Sequence, residues 1–293
     1  MKLLKNATII PLTGTMDSFT GGVYTSDGRF VEDSLLERGR PAELQKTVEH
    51  LSETYIYGGC LFGHFGHFIW ESLSRLYTFR KCKEYPILFI SPNDIVFNVQ
   101  EMFFKSLGVN NEIRLVKIQT SVENLIYSSP GSSINPLYIT DEQINSLKYF
   151  RFLKNVGDNS SEEKIWVSRS KLTFGMIVNE LIIEKVLSKI GYKIIHPESL
   201  PLSEQVRLIS TADIVAGFDG SAFFSILFSK EIRSKFFVFN RRPHIPKTIS
   251  YVFQKRNVEF ELHNFDVEYI AGEMAWSCYN HPAPEKIIEI LKS

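Results

Sequence analysis

The chain has 293 residues, 44% of them hydrophobic and 23% charged, which is enough for two domains of ordinary size, each burying its own core. Lys plus Arg and Asp plus Glu both number 33, so the formal net charge is zero, and no general field draws the chain to nucleic acid; an anion must be held locally. Cys60, Cys82 and Cys278 fit no disulfide framework, and no apolar run approaches the ~20 residues of a membrane span, so the expectation is a cytoplasmic protein whose membrane contact is peripheral, at the inner face.

The first sixty residues show little periodicity and read as short strands and loops. Residues 66–80 carry Phe68, Ile69, Leu73, Leu76 and Tyr77 at helical spacing. On that helix His67, Glu71 and Arg75 stand at i, i+4 and i+8 and share a face, with His64 just ahead of it. One reading is a surface ladder in which Glu71 pairs with Arg75; another is a general base or acceptor-binding site built from His67, Glu71, His64 and Arg75. A metal-binding helix would need a second histidine as in His-Glu-x-x-His, which the segment lacks, so no metal is expected.

A strand at 86–91, a helix at 96–107 stopped by Gly108, strands at 112–117 and 125–128, and a helix at 140–154 follow, the last with Thr140 as N-cap and Gln143 at the capping-box position. The polar stretch 157–163 is the expected linker, which divides the chain into domains 1–158 and 159–293. Beyond it strands at 164–168, 192–196, 213–217 and 236–239 alternate with helices at 178–190, 203–211 and 221–228, the signature of a parallel sheet in an α/β fold. A last helix is expected at 284–291, able to pack back on either domain.

In such a sheet ligands bind beyond the carboxyl ends of the strands. Asp219, Gly220 and Ser221 open a helix there and offer N–H donors to a phosphate, although the same residues fit a plain cap, and the Asp219 carboxylate repels a diphosphate unless a cation intervenes. Ser168 and Arg169 end the first strand of this half at the same edge, Arg169 reading as a phosphate clamp or as a surface arginine. Asn179 and Glu180 occupy a first helical turn, Glu198 follows a strand where an acid commonly grips ribose, and Glu204 and Gln205 sit at the next helix start. No G-x-G-x-x-G follows a strand, which argues against a nicotinamide-dependent oxidoreductase.

Taken in order, Gly66-His67 with Glu71 and Arg75, Ser168-Arg169, Asn179-Glu180, Pro197-Glu198, Glu204-Gln205 and Gly217 with Gly220-Ser221-Ala222 resemble glycosyltransferase family sixty-one, over residues 63–80 and 164–228. The resemblance implies a GT-B-like architecture of two Rossmann-like domains facing a cleft, with an N-terminal acceptor side and a C-terminal nucleotide-sugar domain. It implies an inverting, metal-independent transfer from a nucleotide sugar, expected to be UDP-linked, to a glycan or lipid-linked glycan acceptor in bacterial capsule or other surface-polysaccharide synthesis, with no cofactor. Ser168, Arg169, Asn179, Glu180, Glu198, Gln205, Gly220 and Ser221 would then hold the donor, His64 and Arg75 the acceptor, and His67 oriented by Glu71 would be the base, with Glu71 or Asp219 as alternatives. Two departures, Asp219 where the family often has His and Phe174-Gly175-Met176 where Arg commonly precedes Asn-Glu, leave open a non-catalytic sugar-nucleotide-binding or assembly protein of the same fold.

Overall fold

The fold comes from a computed structural model that describes residues 1–15, 18–45, 49–93, 95–96, 98–148, 163–173, 175–272 and 277–292. The predicted linker lies, as far as residue 162, outside the described residues, as does Phe174. The chain divides into two compact units, Met1–Arg151 and Phe152–Ser293.

The first unit is built on a seven-stranded mixed sheet. Its strands are β1 (Lys2–Gly14), β2 (Phe19–Tyr24), β3 (Gly39–Pro41), β4 (Glu49–Cys60), β5 (Ile87–Ile90), β6 (Ile113–Leu115) and β7 (Thr120–Tyr127), in the order β3-β2-β1-β7-β4-β5-β6. The run β7-β4-β5-β6 is parallel, whereas β1 lies antiparallel to both β2 and β7. Two strands of 13 and 12 residues therefore stand where short strands and loops were expected, and the unit departs from a plain Rossmann-like domain. A tight reversal closed by paired Thr15 and Ser18 backbone hydrogen bonds forces β1 and β2 antiparallel. The apolar faces of β1, β4 and β7 meet in a core that includes Ile9, Tyr57, Leu88, Val122 and Tyr127.

The expected helix at 66–80 is broken. It begins as α1 (Phe65–His67), widens into a π turn over Phe68–Ser72, passes through a non-helical turn at Arg75 and resumes as α2 (Leu76–Lys81). Helix α3 (Asn98–Ser106), the short pair β8 (Ser132–Ser133) and β9 (Tyr138–Ile139), and α4 (Asp141–Leu147) complete the unit. Thr140 caps α4 as predicted, its hydroxyl accepting from the Gln143 N–H at 3.2 Å, but the Gln143 side chain donates to Leu73 O instead of closing the box.

The second unit is the regular one. Strands β10 (Lys164–Val167), β11 (Tyr192–Ile195), β12 (Ile214–Phe218), β13 (Lys235–Phe239) and β14 (Phe260–His263) pair in parallel throughout, in the order β11-β10-β12-β13-β14. Numbered within the unit this is 2-1-3-4-5, the doubly wound order whose direction reverses between its first and third strands. Right-handed crossovers put α5 (Glu180–Lys189) on one face and α6 (Leu202–Thr211), a 3-10 helix over Ser221–Phe228 and α7 (Lys247–Lys255) on the other. The contacts agree: α8 (Pro284–Lys292) packs on α5, and both α6 and α7 pack on the 3-10 helix. Period-two alternation aims Trp166, Phe218 and Phe239 at the α5 and α8 side. A hairpin of β15 (Glu268–Ala271) and β16 (Cys278–Asn280) leads into α8.

Candidate functional sites

In the first unit the π turn carries Glu71 inward, where it is 2% exposed. Its carboxylate receives a two-pronged bond from Arg38, Nη1 to Oε1 at 2.6 Å and Nη2 to Oε2 at 2.7 Å, and meets His67 Nδ1 at 2.9 Å through Oε2. Burial alone would raise this carboxyl, but the hydrogen bonds from Arg38 and His67 outweigh it and hold the group below the usual carboxylate range. His67 stays 30% exposed, with the His64 ring 5.3 Å away edge-on. The site is thus an exposed imidazole oriented by a buried, ion-paired carboxylate.

Arg75 does not join it. A π turn adds a residue to the helical circuit, so the i+8 position rotates off the face shared by His67 and Glu71. Arg75 is 3% exposed, donates Nε to Ser128 O at 2.8 Å and Nη2 to Asp33 O at 2.6 Å, and lies over the Tyr57 and Tyr127 rings. A strand irregularity at Gly59, whose φ is +90, makes the room: a Cβ there would collide with Nη1 of Arg75. The expected surface ladder with Glu71 therefore does not form, and Arg75 is bound within the unit.

The second unit gathers its charges at the reversal between β10 and β12. Beyond β10, Ser168 Oγ donates to Glu184 at 2.6 Å, and the Arg169 N–H is shared by both Glu180 oxygens at 3.1 Å. Glu180, fully buried, also accepts from Trp166 Nε1 at 2.9 Å; burial pushes its carboxyl up to about 8, so it keeps its proton at neutral pH. The Arg169 side chain is tied through Nε to Gly175 O at 2.9 Å and passes so close to Gly220 that a Cβ on that residue would strike Nη1. Gly220 is extended, at φ −178, so space alone and not backbone conformation favours glycine there.

Beyond β12, Asp219 is completely buried. Its Oδ1 accepts the Arg241 N–H at 2.8 Å, and its Oδ2 lies 3.6 Å from Arg241 Nε and 3.3 Å from both Nε and Nη2 of Arg242. Both arginines follow β13 in a loop that Asn240 fixes by bonds to Arg242 O, Phe265 O and the Phe265 N–H. Burial, then the neighbouring Arg169 charge, pull Arg241 down to about 10, so it remains a cation at neutral pH. Arg169 feels the charges of Asp219, Glu180, Arg242 and Glu198 as well, so three guanidinium groups gather around the buried Asp219 carboxylate.

The remaining expected donor residues are scattered by function. Asn179 bonds the backbone of His281 in both directions, at 2.8 and 3.0 Å, and so ties the chain after β16 to the start of α5. Gln205 Nε2 staples the preceding loop through Pro197 O and Leu200 O. Glu198 stands exposed on the turn after β11, 3.9 Å from His196 Nδ1. Glu204 pairs with Arg207 in the first turns of α6, whose N-cap position is Pro201. Ser221 opens a 3-10 helix, not the expected α-helix, so the local attraction for an anion rests on the arginines more than on a helix dipole.

Sequence reasoning missed Arg38, Arg241 and Arg242. The last two had a signal, two arginines directly after the apolar strand at 236–239; Arg38 is 33 residues from its partner and had none. Among the described residues no cluster of three or more His, Cys, Asp or Glu is arranged to hold a metal ion, and no helix is long and apolar enough to cross a membrane.

No curated protein matches the chain. A family model described as Glycosyltransferase 61 matches residues 65–234, more than half of the chain, spanning the His67 turn and both the Arg169 and Asp219 strand ends while leaving Arg38, Arg241 and Arg242 outside. With that match over more than half of its length, the chain belongs to the glycosyltransferase 61 family.

Proposed function

We propose that this family member transfers a sugar, with inversion and without a metal ion, from a nucleoside-diphosphate sugar held by the second unit to a hydroxyl activated by the first. The observation that carries the reading is the cation excess at the β10–β12 reversal: Arg169, Arg241 and Arg242 against the carboxylates of Asp219 and Glu198, with Glu180 protonated beside them. A diphosphate gains charge as it leaves, and guanidinium groups already in place stabilise that charge without reorganisation. On the acceptor side His67 takes the hydroxyl proton, the oxygen attacks the anomeric carbon, and the bond from that carbon to the phosphate oxygen breaks.

Within this reading Asp219 positions arginines and is not the base, since it is wholly buried and both its oxygens are engaged. The acid that looked repulsive to a diphosphate has its intervening cations, which answers one of the two departures that left a non-catalytic relative open. Glu180, Asn179, Ser168 and Gln205 shape the strand-end loops, leaving Arg169, Arg242, Gly220 and the exposed Glu198 to meet the donor. The setting proposed for this transfer is capsule or other surface-polysaccharide synthesis. Calorimetric titration of the protein with UDP, followed by assay of nucleotide release from a panel of sugar nucleotides with glycan acceptors, tests the reading: absence of nucleoside-diphosphate binding would sink it.

A further inference from the structure

We infer that Arg38 is a positioning residue for His67, forking onto Glu71 so that this carboxylate orients the imidazole while its charge is cancelled. The inference rests on the reading of His67 as the base, and it concerns a residue upstream of the family-matched segment, which begins at residue 65.

An ionised carboxylate only accepts, so the Glu71 oxygen at 2.9 Å requires His67 Nδ1 to carry a proton. The neutral imidazole then has its lone pair on Nε2, the form a base needs. The same carboxylate, unbalanced, favours the imidazolium and would hold His67 in the form that cannot accept a proton. Arg38 opposes that effect: its fork, at 2.6 and 2.7 Å, places a full positive charge on the same two oxygens. The guanidinium is itself fixed over the Phe19 and Phe62 rings, 5.6 and 5.4 Å from their centroids.

The other charged or titratable groups packed around this pair leave the role to Arg38. Cys60, on β4, is neutral because burial pushes its thiol up to about 12. Arg75 gives its Nε and Nη2 donors to the backbone oxygens of Ser128 and Asp33. His64 meets His67 edge-on, ring to ring.

The test is histidine-labelled nitrogen NMR of the full chain, with the His67 signals assigned by their loss in His67→Ala. The parent should show the Nδ1-protonated tautomer. In Arg38→Gln the His67 titration should move to higher pH by about one unit, whereas Arg38→Lys, which keeps the charge but not the fork, should stay within a few tenths of the parent. An unmoved titration in Arg38→Gln, or equal shifts in both variants, overturns the inference, because a purely structural arginine would not distinguish charge from shape. Should Arg38→Gln fail to fold, Glu71→Gln compared with the double variant Arg38→Gln/Glu71→Gln carries the test: taking the Arg38 charge away from Glu71→Gln should raise the His67 titration, and no difference between the two overturns the inference. Turnover that survives in His67→Ala would instead overturn the reading of His67 as base while leaving these titrations intact.

Discussion

The two charged constellations have opposite balances. In the first unit one cation meets one anion through a tight fork, and the neutral pair orients a partly exposed imidazole. In the second, Arg241 and Arg242 meet one carboxylate at 3.3 to 3.6 Å with Arg169 close enough to feel its charge, and the surplus is positive. A balanced pair has little to offer an anion but holds a neighbour in one tautomer. An overcharged cluster is poorly matched to its own contents and well matched to a diphosphate.

The comparison can be broken at several points. The largest effect is expected from His67→Ala: turnover lower by roughly 10²- to 10⁴-fold with UDP affinity unchanged, measured by nucleotide release and calorimetry. Loss of UDP affinity in this variant would erase the division of labour. Next, Asp219→Asn should cost about 3 kcal/mol of stability, because Arg241 is left buried without its counter-charge, and added UDP should restore more of the melting temperature than it adds to the parent. Arg242→Ala should weaken UDP binding by roughly 10- to 100-fold with little change in stability, since its side chain is 31% exposed.

The last test concerns pH. Burial holds Glu180 at about 8 in the folded chain, against ~4.3 when unfolded, so the stability tied to its proton is full below that unfolded value and is lost as pH rises through about 8. Glu180→Gln should therefore flatten the decline in melting temperature between pH 5 and pH 8, a change of at most ~1.4 kcal/mol per pH unit. Glu71, held low, has the opposite sign: its contribution is present above the ordinary carboxylate range and disappears as acid is added. A Glu180→Gln profile parallel to the parent's would show that this carboxyl does not set the slope.

The second unit was largely legible because each strand is a short apolar run and each helix has its own amphipathic period, so local pattern and final fold agree. Arg169 and Gly220 could be set at one edge from that pattern alone. The first unit was less legible. Its long β1 and β4 mix exposed and buried residues without strict alternation, and their pairing partners lie far along the chain. Ideal helical spacing correctly joined His67 to Glu71, four residues apart, and failed at Arg75 because the intervening turn is not α-helical. Helix α7 and strand β14, which follow the predicted strand at 236–239, also went unread.

The family-matched segment ends at residue 234, one residue before β13 begins. A fragment cut to those limits would leave the β12 edge without its neighbour, strip Asp219 of both arginines, and remove the His281 backbone that Asn179 holds. It would also lose α8 and with it Ile287 and Leu291 from the core beneath α5. The cooperative folding unit is therefore larger than the stretch that marks kinship. Transplanting the recognisable motifs into another scaffold would carry the buried Asp219 across without the two arginines that balance its charge.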